Sequence, residues 1–168
     1  MEMSTFEIRA NNYLTAIASA HTRMEEFGYD HEDPKEVLSR IYGSFIVWLI
    51  ACEEARAHER LSIDRIDFHS HIISALPLSD NPNWRVKIEP APESTLRERA
   101  EGLWGIRVAM THGDGDISKI NSSRNAVFAR NAINYLPGIE LKSDRIYIDR
   151  GVSHVAVRTI LQIQEALP

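Results

Sequence analysis

Arg107 and His112 stand five positions apart in the stretch from Leu103 to Asp116, and their side chains suit phosphoryl chemistry. A forked, permanently charged guanidinium holds a phosphate through parallel hydrogen bonds. An imidazole gives or takes a proton near neutral pH. On a regular helix the two residues lie about 7.5 Å apart along the axis and roughly 140° around it, so they share no face. Fraying of the helix after His112, with the reach of the arginine stem, would bring both heads to one phosphate-sized group beyond the end. The carbonyl end of a helix also favours a protonated imidazole. The plainer structural alternative has Arg107 in a salt bridge and His112 capping that end.

Thr95 and Glu98 form the capping box that opens this helix, Leu96, Ala100, Leu103 and Met110 make its apolar face, and Gly113 supplies its stop. Arg, four residues and His at a helix end in a small all-α chain resembles the HEPN superfamily, whose motif is Arg, four to six residues, then His. Arg107 to Gly113 match it, and the resemblance extends to the flanking helices and the helical layout. It implies a helical bundle, often a homodimer whose two motifs share one cleft, and often metal-independent RNA cleavage. In that chemistry an RNA 2′-hydroxyl attacks the adjacent phosphate, His112 acts as general acid or base, Arg107 stabilises the transition state, and a cyclic phosphate end results. The helix carrying Trp104 would then lie near the dimer axis. The position after the arginine, commonly polar in active members, is Val108 here.

With fifteen Arg and seven His, about two such spacings arise by chance, and a second runs from Arg65 to His71. The first is preferred because it straddles a helix end followed by a glycine-rich polar loop. In that loop Asp114 and Asp116 are expected to cap the next helix or orient His112, and Asp114 and Arg124 are candidate substrate-binding residues. A toxin or defence role with RNA and an antitoxin-like protein as partners follows from the resemblance. The alternative from another class is a catalytically silent HEPN-like module that binds a nucleotide, RNA or a protein.

The formal charge of −5 argues against a generic, charge-driven nucleic-acid coat protein. The excess of fifteen Arg over four Lys suits bidentate phosphate contacts. Cys52 is the only cysteine, so no disulfide forms within the chain, and it is expected as a packed core thiol. No signal peptide or membrane-spanning run is read, so a soluble, cytoplasmic protein is expected. No cofactor and no metal are expected: Asp67-x-His69-x-His71 resembles an amidohydrolase metal motif, but that barrel needs roughly 250 residues.

The fold expected is an all-α bundle of five to six helices in one domain, residues 1–168, with a small β-hairpin near 139–149. A first helix starts at the box Ser4 to Glu7, and a turn follows around Gly28 to Glu32. A second starts at Asp33-Pro34, is heavily buried around Phe45 to Ala51, and ends in a solvated charged run from Glu53 to Arg60. A third covers Ser62 to Leu76, and a proline-rich loop runs to Pro92. The motif helix comes next, then a helix over Ile117 to Leu136, and a last one over Val152 to Leu167.

Overall fold

The three expected helix starts all form their caps. In the computed structural model, which describes residues 4–27, 33–78, 81–87 and 93–167, Ser4 and Glu7 bond each other's backbone amides, the Asp33 carboxylate accepts from Lys35, and Thr95 and Glu98 close a complete capping box. They open α1 (Thr5–Phe27), α2 (Pro34–Leu61) and α3 (Leu96–Gly113). Then come α4 (Ser123–Tyr135), the hairpin strands β1 (Ile139–Lys142) and β2 (Arg145–Ile148), and α5 (Gly151–Ala166). The result is the expected mostly helical bundle with its hairpin. The turn expected around Gly28 to Glu32 lies outside the described residues.

α3 is the central helix, packed on α2, α4 and α5. Its buried residues come from nearly every side: Leu96, Ala100, Leu103, Trp104, Ile106, Val108 and Ala109 are all in the core. Gly102 and Gly105 let α4 approach at backbone distance. A Cβ on Gly105 would stand 2.4 Å from the backbone of Phe128 and Ala129, and one on Gly102 would stand 3.1 Å from Leu136. Ala129 and Ala132 on α4 are fully buried opposite them. Mid-helix glycine costs about 1 kcal/mol relative to alanine, and here the close packing of two helices offsets it.

The hairpin fastens the loop that follows α3. Ser143 and Asp144 both have positive φ, as a two-residue turn of matching twist requires. The Ile146 amide donates to the Gly115 carbonyl at 2.9 Å and the Ile117 amide to the Asp144 carbonyl at 2.8 Å. On the other side the buried Ser39 hydroxyl of α2 donates to the Ile146 carbonyl and accepts from the Ile148 amide.

The structure differs from the expectations in four places. The third helix is not one helix: Ser62 turns left-handed to end α2, and a short π turn (Phe68–Ile72) and a 3-10 turn (Ile73–Ala75) follow. The Asp67 side chain, accepting from the Ser70 amide, starts the π turn. The helix expected from Ile117 splits into a 3-10 turn (Ile117–Lys119) and α4, because Asp116 and Ser122 each cap their own start. The charged run at the end of α2 is not wholly solvated: Glu53 is fully buried, bonded by Arg56 and by Gln164 of α5. Cys52 is only partly buried, and burial pushes its thiol pKa up. No helix among the described residues is long and apolar enough to cross a membrane.

Replacing Gly105 by alanine forces a methyl group into the α4 backbone and should lower unfolding stability by about 3 kcal/mol or more. Gly113→Ala meets nothing closer than 3.5 Å, and should be neutral or stabilising by up to about 1 kcal/mol. Urea denaturation of the two variants measures the contrast.

Candidate functional site

α3 stays regular through Gly113, and the left-handed residue that stops it is Asp114, at φ 49°, rather than the glycine. Aspartate tolerates that conformation, and the amides of Asp114 and Gly115 both turn back to the Ala109 carbonyl. The helix therefore does not fray between Arg107 and His112, which stay about 140° apart around its axis. Within one chain the structure does not bring them together.

Arg107 is half-buried, its guanidinium 4.9 Å from the centre of the Trp104 ring. Trp104 is 6% exposed, stacks on Phe68 and donates from Nε1 to Asn125 of α4 at 3.2 Å. It is a core brace for Arg107. Glu54 of α2 accepts from the Phe68 amide at 3.0 Å. Burial raises its carboxyl pKa, while that bond and the nearby Arg107 charge oppose the rise.

His112 is exposed at the carbonyl end of α3, and among the described residues its side chain makes no hydrogen bond or ion pair. Asp114 does not orient it. The Asp114 carboxylate instead receives Arg40 of α2 at 3.2 Å and Arg145 of β2 at 3.5 Å, and Arg145 also reaches Glu36 at 3.6 Å. Arg107 and Thr111 lie on one face of α3, four residues apart, and Asp114 follows directly after the helix end. Beside that face an open groove of about 400 Å³ runs between α2 and α3, lined by Arg40, Ser44, Val47, Met110, Thr111 and Asp114.

Arg124 opens α4 with its guanidinium 5.5 Å from the Phe128 ring centre. The other partner of Phe128 is His69, stacked at 5.2 Å and also tilted against Trp104 at 6.4 Å. Burial lowers the His69 pKa, and the charges of Arg124 and Arg97 lower it further against the opposing pull of Asp67. Nearby Glu101 is shifted the other way, raised by burial. A neutral imidazole thus stands on an aromatic ledge that carries Arg107 and Arg124. Each guanidinium can hold a phosphate oxygen, and the imidazole can accept a proton.

His69 is the residue the sequence pattern missed. Its alternation with His71 pointed toward a metal, whereas the structure turns the His71 ring back to the Asp67 backbone. No group of three or more potential metal ligands forms among the described residues. The Asp67 to Ser70 cap was the available local signal for a break in the helix. The stacking on Phe128, far along the chain, left no mark in the local pattern.

No family model matches the chain, and no curated protein or solved structure matches it either.

In a proton NMR titration the His69 ring should change charge below its ordinary 6.5. The folded state then binds fewer protons at this site than the unfolded chain, so His69 lowers stability as pH falls through the ordinary histidine range. Arg124→Gln removes a like charge and should move the His69 titration back upward. An unmoved midpoint would remove Arg124 from its surroundings.

Proposed function

We propose that the protein is a metal-independent endoribonuclease of HEPN type, acting as a homodimer in a cytoplasmic toxin or defence system. The observation that carries this reading is Arg107, half-buried on α3 and braced with its guanidinium 4.9 Å from the centre of the Trp104 ring. Arg107 neutralises the charge that builds on phosphorus as a 2′-hydroxyl attacks, and an imidazole shuttles the proton. Because His112 of the same chain points elsewhere around the helix, the catalytic pair combines Arg107 of one copy with His112 of the other. RNA runs over the ledge toward Arg124, where the backbone meets a second guanidinium braced on an aromatic ring. Local geometry of this kind binds a few phosphates in spite of an overall charge of −5. An antitoxin-like protein would cover the same ledge.

One observation favours a second reading, a silent module that binds RNA, a nucleotide or a protein. Val108, where active members commonly carry a polar group, is 4% exposed and part of the core, so it supplies no third group to the cleft.

Wild-type protein in excess EDTA should cut RNA and leave cyclic phosphate ends. Arg107→Ala and His112→Ala should each lose cleavage by about a hundredfold or more while keeping their helicity. Mixing the two inactive variants should restore part of the activity, since a mixed dimer retains one intact composite pair. RNA binding without cleavage by folded wild-type dimer would select the silent module.

A further inference from the structure

The second half of α2 carries Glu53, Ala57 and Leu61 in one row and Arg56 and Arg60 in the row beside it, at the four-residue spacing that puts side chains on a common face. Neither α5 nor the turns after α2 cover this face completely. The end of α5 reaches it with Ala166 and Leu167, the π and 3-10 turns reach it with His71, Ile72 and Ala75, and a cavity of about 270 Å³ lies between them. Its floor is fixed. Glu53, fully buried, is bonded by Arg56 at 2.9 Å and by Gln164 at 2.8 Å, and Arg56 also donates to the Leu167 carbonyl at 3.4 Å.

Two donors on the cavity wall meet no acceptor. Arg60 is exposed there, and its guanidinium makes no hydrogen bond or ion pair among the described residues. The half-buried His71 is the other. The Asp67 amide donates to its Nδ1 at 3.0 Å, closer than the Asp67 carbonyl at 3.3 Å, which places the ring proton on Nε2. That N–H has no partner among the described residues. Glu53 is the only carboxylate of the lining, and it is already matched by Arg56 and Gln164. Arg60 is therefore a surplus positive charge beside walls of hydrocarbon, the buried Ala57 and Ile72 and the half-exposed Leu61.

We propose that this cavity binds an apolar monocarboxylate of about ten non-hydrogen atoms. Its carboxylate accepts from the Arg60 guanidinium and from Nε2 of His71, and its hydrocarbon lies against Ala57, Leu61 and Ile72. Such a ligand supplies the acceptor that both donors lack and takes apolar wall out of water. One negative charge fits because one cation is unmatched, whereas a dianion would face Glu53 with no second cation to meet it. The volume is the share of about nine waters at about 30 Å³ each. It lies just below the range of about 300–1,000 Å³ of drug-sized sites, so it selects a small ligand. Neither Arg107 nor Arg124 lines the cavity, and the site is independent of whether their ledge cleaves RNA.

Octanoate is the probe, titrated calorimetrically into the full chain, with 1-octanol as the control lacking charge and acetate as the control lacking the hydrocarbon. Octanoate should bind, and each control should bind at least about tenfold more weakly. Arg60→Gln, at an exposed residue without a partner, should keep the wild-type melting temperature and lose about tenfold or more in affinity. Ala75→Leu, at an exposed position of the lining, fills the cavity and should lose about as much. Lys142→Gln, exposed on the hairpin and outside the cavity, should bind as wild type. Absence of octanoate binding, equal binding of 1-octanol, or unchanged affinity in either folded cavity variant would each overturn the proposal. So would an equal loss in Lys142→Gln, since it would make the attraction one of overall charge.

Discussion

The contact between Gly102 and Gly105 on α3 and the buried alanines of α4 sets the geometry of the whole bundle. Helix axes usually stand 8–10 Å apart, with the spacing set by the side chains between them. Removing the side chains from one helix and reducing them to methyl groups on the other brings the backbones as close as sterics allow. Trp104 and Asn125 are then within hydrogen-bond distance across the two helices, and Phe128 is within stacking distance of His69. The ledge carrying Arg107 and Arg124 is a surface consequence of that inner contact.

Buried polar groups tie the periphery to this centre. Arg99, fully buried on α3, donates to the carbonyls of Ser94 and Trp84, to the Thr159 hydroxyl and to Gln162, fixing the end of the proline-rich segment against α5. Glu53 on α2 is equally buried and is met by Arg56 and by Gln164. Each charge is matched by several partners, the condition under which a buried ionic group is tolerated. The hairpin acts in the same way through main-chain bonds, holding the loop after α3 between β2 and Ser39.

Charge is distributed with the same economy. The chain is acidic overall, yet arginines recur at ring faces and helix ends where they meet no nearby carboxylate of their own element. Arg107 and Arg124 are held over aromatic rings, which restricts their rotamers without neutralising them. Around Asp114 the opposite holds, for Arg40 and Arg145 each reach both Asp114 and Glu36, and the two cations are balanced by two carboxylates.

By itself the sequence determined most of the helices and the starts of α1, α2 and α3. Capping boxes at Ser4 and Thr95, the Asp33-Pro34 start, the stripes of α1 to α3 and α5, and the turn of the hairpin all depend on interactions within a few residues, so the local pattern contains them. The same locality made Arg107 and His112 legible as a motif at a helix end. Only the tertiary structure decided what surrounds them. The break of the third helix into a π turn puts His69 on Phe128 and Trp104, the Asp114 carboxylate goes to arginines of α2 and β2, and Glu53 is drawn into the core by α5. These outcomes join residues dozens of positions apart, and they follow from how closely two helices pack, which no local spacing records.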